Sequence, residues 1–198
     1  MRRYELINWF IEQYGYTRYL EIGIDNPSKC FDQVVCAHKT GVDPNVGRTN
    51  PPHHYRMTSD AFFKSVPGSF DIVFVDGLHL RDQVLRDVDN ALAVLAPNGT
   101  ILMHDCWPPN ERAAGATRHP AQPWYGTVWQ AWAQLRATRR DLTMHVFADD
   151  CGIGIVRRGT QVLYTGPYQT FADFQAHHAD ILQIIGPGNL TGIYKGKH

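Results

Sequence analysis

The sequence is poor in the features that would place it in several large classes. It has four cysteines in 198 residues, Cys30, Cys36, Cys106 and Cys151, with no CxxC spacing. That excludes a disulfide scaffold and makes a reducing compartment the expectation. It has no excess charge of either sign, because 19 basic and 19 acidic residues give a formal net charge of zero. No basic block stands out, so charge suggests neither nucleic acid nor an anionic membrane as a partner. Arg136, Arg139 and Arg140 form one local basic group, read as the solvated end of a helix. No apolar run is long enough to span a bilayer. The start, Met1-Arg2-Arg3, is basic like a signal peptide. Glu5, Asn8, Glu12 and Gln13 interrupt any apolar core, however, and a cytoplasmic protein is expected. Internal repeats and low-complexity segments are lacking.

What is present fits a single domain of ordinary composition, with 43% hydrophobic and 19% charged residues. Tyr4, Ile7, Phe10 and Ile11 give an amphipathic helix over 3–14. A short strand at 19–23 is followed by Asn26-Pro27, an N-cap and first-turn proline that predict a helix to about Ala37. Residues 39–43 are a second strand, which Pro44 ends. Residues 45–54 read as a loop, 55–57 as a weak strand, and 58–63 as a helix stopped by Pro67-Gly68. A strand at 71–75 precedes a helix with Val84, Leu85, Val88, Ala91, Leu92 and Leu95 on one face. Pro97-Asn98-Gly99 predicts a turn into a strand at 100–103. Residues 106–125 are a long loop of the kind that usually carries function. A helix through Val128, Trp129, Trp132 and Leu135 is followed by strands at 144–147 and 152–156. A last helix spans about 171–185 and a Gly-rich tail ends the chain. This β-α alternation predicts a mostly parallel α/β sheet with helices on both faces and one antiparallel strand near the C-terminus. Residues 1–158 would form the main domain, with 159–198 as its extension.

In such a sheet, ligands sit at the carboxyl ends of the strands. Glu21-Ile22-Gly23, Asp43, Ser59-Asp60 and Asp76 all fall there. A glycine after the first strand lets a ligand approach closely. A carboxylate after the second can accept both hydroxyls of a ribose. A polar pair after the third can read an adenine edge. The first loop, Gly23 to Ser28, holds a single glycine where a nicotinamide-binding sheet would have G-x-G-x-x-G, which counts against an oxidoreductase.

Tyr19-Leu20-Glu21-Ile22-Gly23, Gly41-Val42-Asp43-Pro44, Thr58-Ser59-Asp60, Phe70 to Gly77 and Leu95 to Thr100 together resemble class I S-adenosylmethionine-dependent methyltransferases, in that family's order. The resemblance implies a Rossmann-like, seven-stranded fold and S-adenosylmethionine as cofactor. Glu21 and Gly23 would lie by its methionine and ribose, Asp43 on the ribose hydroxyls, Ser59 and Asp60 near adenine, and Asp76 beside them. S-adenosylmethionine carries no phosphate, so a glycine-poor loop suffices.

The fourth and fifth strands end in Asp76-Gly77-Leu78-His79 and His104-Asp105. Two carboxylates and an imidazole can hold a divalent cation with open positions for a hydroxyl substrate. A histidine near neutrality can take a proton. The D-x-x-H spacing resembles the metal-dependent O-methyltransferases of macrolide-sugar biosynthesis. That resemblance implies Asp76 and Asp105 as ligands of Mg²⁺ or another divalent cation, and His79 as general base. His104 stands where those enzymes have a carboxylate, so it is either a further ligand or a second base. Asp105-Cys106 stands where catechol-type enzymes have an acid and an amide, and zinc through His104 and Cys106 is weighed against a harder ion. Trp107, Trp124 and Tyr125 on the long loop suit stacking on a sugar or aromatic acceptor. The expected function is O-methylation of a small molecule. The alternatives are a metal-free N- or C-methyltransferase and a non-catalytic protein of this fold that binds a nucleoside or a protein partner. Neither nucleic acid nor membrane is expected as a partner, and homodimer formation is left open.

Overall fold

The computed structural model describes residues 1–45, 54–65 and 68–196. The interior of the loop read at 45–54, His53 and the stop at Pro67 lie outside the described residues. One sheet carries the fold. Its strands are β1 (Arg18–Ile22), β2 (His38–Val42), β3 (His54–Tyr55), β4 (Phe70–Val75), β5 (Leu95–Met103), β6 (Leu142–Phe147), β7 (Ile153–Arg158) and β8 (Ile184–Ile185). Their order is β3-β2-β1-β4-β5-β7-β6-β8. Strands β1 to β5 pair in parallel, β7 runs antiparallel to β5 and β6, and β8 lies parallel to β6. The sheet therefore has eight strands, not the expected seven. The additional strand arises because Ile184 and Ile185 extend the β6 edge directly after the last long helix.

Both faces are covered, and side-chain alternation along each strand divides the core in two. Leu20, Ile22, Val73, Val75, Ile101 and Met103 point to one side. There they meet α3 (Arg81–Val94), α4 (Val128–Thr138) and α5 (Phe171–Leu182), with α2 (Ser59–Ser65) contributing Phe62. Tyr19, Ile72, Phe74 and Leu102 point to the other. There they meet α1 (Arg3–Tyr14) and α6 (Pro187–Ile193). α3 buries Val84, Val88, Ala91 and Leu92, the stripe its spacing predicts. α5 starts at a capping box in which Thr170 and Asp173 each accept the other's backbone N–H.

The structure corrects four local expectations. Asn26 does cap a turn, accepting from Ser28 N at 3.1 Å, but the α-helix to Ala37 is instead two 3₁₀ turns, Pro27–Lys29 and Phe31–Gln33. Cys30 at φ −145° breaks the run. The Lys39 ammonium takes the Phe31 and Val34 carbonyls at 2.7 and 3.0 Å, so these oxygens are satisfied from outside the segment. Pro97-Asn98-Gly99 lies inside β5, at a register shift where Phe70 faces Leu95 and Ile72 faces Thr100. A proline is tolerated there because the bulge already breaks the ladder. The Gly-rich tail folds as β8 and α6, held by Tyr194, whose hydroxyl lies 2.7 Å from His145 Nδ1. Arg136, read as solvated, is buried at 6% exposure.

Trp132 is fully buried at the centre of the α4 packing, and its indole N–H donates to the Ile181 carbonyl at 2.9 Å. Trp132→Ala is expected to lower unfolding free energy by about 3–5 kcal/mol in urea titration. A loss below about 1 kcal/mol would show that α4 does not anchor this face.

Candidate active site

The carboxyl ends of β1, β2, β4 and β5 are drawn together by a backbone requirement at Gly23. Its φ is +89°, and a Cβ there would lie 2.0 Å from the Asp76 carbonyl oxygen. Only glycine permits this approach. The β1 loop is thereby pressed against the end of β4, with Gly23 N–H donating to Val42 O and Asp76 N–H to Ile22 O, both at 2.8 Å. Asp43, just beyond β2, is buried and accepts from Asp25 N at 2.9 Å and Asn45 N at 2.6 Å. It spans the two loops at this edge and keeps lone pairs for further donors. Glu21 lies on the α1 side, buried, and accepts the Tyr19 hydroxyl at 2.5 Å. Burial pushes its carboxyl up to about 8 despite that hydrogen bond. Ser59 and Asp60 sit in the first turn of α2, where both accept from Gln83 on α3 at 3.2 Å.

The densest chemistry is at β4 and β5. His104 N–H donates to Val75 O at 3.0 Å, which puts the two strand ends side by side. Asp76 Oδ1 lies 3.2 Å from His79 Nε2 and 3.4 Å from His104 Nδ1, while Oδ2 accepts from Arg3 Nη1 at 2.8 Å. Asp105, held at φ +61°, places one oxygen 3.2 Å from His79 Nδ1 and the other 3.0 Å from His104 Nδ1. Asp150, in the β6–β7 turn, faces His104 Nε2 at 3.4 Å and accepts from the Arg3 side chain and its backbone N–H. His79 Nδ1 also meets the Trp124 carbonyl at 2.9 Å. A carbonyl can only accept, so this nitrogen carries a proton, and an ionised carboxylate asks the same of Nε2. Burial alone would lower both histidines, but Asp76 and Asp105 outweigh it, with Asp150 also acting on His104, and hold the two imidazoliums above the ordinary range. Burial alone would likewise raise Asp76 and Asp150. The two histidines outweigh it at Asp76, and His104 and Arg3 at Asp150, holding both well below the usual carboxylate range.

The long loop folds back over this cluster. Trp124 stacks on His79 at 5.2 Å between centroids, Thr127 N–H donates to His79 O at 2.8 Å, and Tyr125 donates to Cys151 Sγ at 3.2 Å. Trp107 stacks on His178 instead. Among the described residues, two sets of possible metal donors lie within 4.8 Å of one another: Asp76, His79 and Asp105, and His104, Asp105 and Cys151. His104 Nδ1 is buried and lacks an aligned hydrogen bond, although carboxylate oxygens lie close by. The donors fit a divalent cation through mixed oxygen and nitrogen ligands. The thiol in reach is that of Cys151. Cys106 is enclosed, turns to the Met103 and His104 carbonyls, and is pushed up to about 12 by burial.

Residues 20–106 match the family of methyltransferase domains designated Methyltransf_24. The chain has the class I methyltransferase fold. Among solved structures, the chain is similar to the S-adenosylhomocysteine-bound methyltransferase PaMTH1 of Podospora anserina (17% identity, 79% of this chain and 78% of that one, TM-score 0.58). It is similar to the O-methyltransferase TomG of Streptomyces achromogenes, involved in tomaymycin synthesis (14%, 79% of each chain, 0.57). It also resembles MycE of the mycinamycin pathway, solved with Mg, S-adenosylhomocysteine and mycinamycin VI (16%, 82% of this chain and 50% of that one, 0.51). No curated protein matches the sequence significantly. No helix among the described residues is long and apolar enough to cross a membrane.

The structure brings Asp76, His79, His104 and Asp105 into one cluster and leaves Ser59 and Asp60 engaged with α3. Sequence reasoning missed Arg3, Asp150, the Trp124 carbonyl as an acceptor at the site, and Cys151. The Asp149-Asp150 pair beside Gly152 was a usable turn signal, but nothing near Arg3 marks it.

The titration shifts fix the sign of a stability profile. The histidines, raised in the folded state, stabilise fully below about pH 6.5 and lose that contribution as pH rises through their folded values. Glu21 adds to this alkaline loss as it is driven towards ionisation. Asp76 and Asp150, depressed, stabilise above about pH 4 and lose it only as pH falls through their folded values. Urea midpoints are expected to peak near pH 5 and decline to either side, with a flatter alkaline limb in Asp76→Asn. A wild-type midpoint that keeps rising to pH 9 would contradict the assigned charges.

Proposed function

We propose that the chain is an O-methyltransferase acting on a hydroxylated small molecule such as a sugar, with the acceptor lying over the β4–β5 edge. The observation that carries this reading is the meeting of Asp76, His79 and Asp105 next to the Gly23 loop, under Trp124. S-adenosylmethionine supplies an activated methyl on sulfonium. Asp43 binds the ribose hydroxyls, and Gly23 and Glu21 border the methionine side, with Asp76 beside them. Ser59 and Asp60 face adenine through what Gln83 leaves free. Trp124 and Tyr125 exclude water and offer an aromatic surface to the acceptor ring.

Asp76 and Asp105 would hold a divalent cation, and such a cation would stabilise the acceptor oxyanion. His79 takes the acceptor proton at a ring nitrogen once its own proton has left, and His104 keeps the carboxylates oriented or serves as second base. One observation favours a metal-free variant of the same site: Arg3 and two imidazoliums already balance Asp76, Asp105 and Asp150.

Calorimetry with S-adenosylmethionine tests the cofactor half, and Asp43→Ala is expected to weaken binding about tenfold or more. An acceptor screen with EDTA or Mg²⁺ tests the other half. His79→Ala is expected to lower kcat by about 10²–10⁴. Because His79 holds its proton above the ordinary histidine range, kcat should rise with pH beyond about 6.5. Activity indifferent to EDTA, and full in Asp105→Ala, would remove the metal. Full activity in His79→Ala would remove the base.

A further inference from the structure

Away from this edge, a cavity of about 510 Å³ opens between the end of α4, β6 and the segment 160–166. Arg136 lines it, 6% exposed, and no carboxylate lies within 4 Å of its guanidinium among the described residues. Among the described residues its one hydrogen-bond acceptor is Gln161 Oε1, and its Nε–H is buried without a partner. Gln161 is itself committed, donating to the Arg139 carbonyl at 2.7 Å. Burial lowers the guanidinium's affinity for its proton, and no anion offsets it. Arg3, Arg18 and Arg139 each have a carboxylate partner within 3.1 Å. An unpaired buried cation is costly, so its persistence at a cavity needs a reason.

The rest of the lining is amphiphilic. Thr143, Thr160 and Gln183 offer polar groups and Met144, Leu163 and Tyr164 apolar ones, while the one carboxylate of the lining, Asp180, is exposed to solvent and makes no ion pair with Arg136. The volume falls in the range of small-molecule sites. The covering segment is fixed in place: Tyr164 N–H donates to the Arg136 carbonyl at 3.0 Å and the Tyr164 hydroxyl to Pro167 O at 3.0 Å. The cavity wall is therefore built on the residue that carries the charge. We propose that this cavity is a second binding site, separate from the methyl-transfer edge, for a small organic anion. A carboxylate or phosphate monoester would pair with the Arg136 guanidinium, and its apolar part would rest on Met144, Leu163 and Tyr164. A guanidinium fork suits either anion through two parallel hydrogen bonds.

The test is titration of the full-length ¹⁵N-labelled chain with benzoate and with phenyl phosphate, at ionic strength held constant with chloride. The Arg136 Nε–H resonance is assigned from its absence in Arg136→Met. A saturable shift of this signal is expected with at least one probe, and the preferred probe identifies the anion class. Affinity for that probe should fall about tenfold or more in Arg136→Met. It should be unchanged in Arg112→Gln, which alters an exposed loop cation. If Arg136→Met does not fold, Gln161→Leu serves instead, and it should change affinity for the probe without abolishing the shift. An Nε–H signal that no probe shifts, or that chloride shifts equally, would overturn the site. So would undiminished binding in a folded Arg136→Met. None of these readouts depends on methyl transfer.

Discussion

Asp76 holds its carboxylate between a guanidinium and two imidazoles, and the carboxyl edge of the sheet is arranged around that contact. One oxygen meets Arg3, the other lies close to both His79 and His104. Each partner comes from a different part of the chain: the first turn of α1, the loop after β4, and the end of β5. Asp150 closes the ring from the β6–β7 turn by holding Arg3 and facing His104. With the water-exposed fraction of these side chains at a quarter or less, the charges interact in a poorly screened setting. Removing one would leave the others uncompensated, so the cluster acts as a unit.

That unit is made possible by close backbone approaches. Gly23 lets the β1 loop lie against Asp76, and Gly126, at φ +60°, lets the loop before α4 reach the His79 carbonyl. A Cβ at either position would fall 2.0 Å from a carbonyl oxygen. The same contacts that fold the edge therefore also set the position of the clustered carboxylates and imidazoles. The cluster ties the N-terminal helix to a turn 147 residues away, so it is complete only when both parts of the chain are in place.

Much of this was legible in the sequence because strand ends obey local rules. The acid or glycine that stops each apolar run placed Gly23, Asp43, Asp76 and Asp105 at one edge once the sheet was parallel. The amphipathic spacing of 84–95 and 128–135 marked the buried stripe of each helix, and the structure places both helices on the same face of the sheet. What was not legible depended on distant partners. Lys39 takes the carbonyls that would have extended a helix past Pro27, and the β4–β5 bulge absorbs Pro97. Ile184 and Ile185 look like the end of a helix until a free edge at β6 accepts them. Arg3 reads as part of a basic start, and Arg136 as a solvated helix end, because burial by residues far along the chain leaves no trace in local composition.

The most direct test of the central claim is a crystal structure of the full chain with S-adenosylhomocysteine and Mg²⁺. The account predicts the ribose on Asp43, the homocysteine sulfur facing the Asp76–His79–Asp105 group, and any metal density at the Asp76 and Asp105 carboxylates. A product molecule bound elsewhere on the sheet, or one whose sulfur faces away from His79 and Asp105, would contradict it.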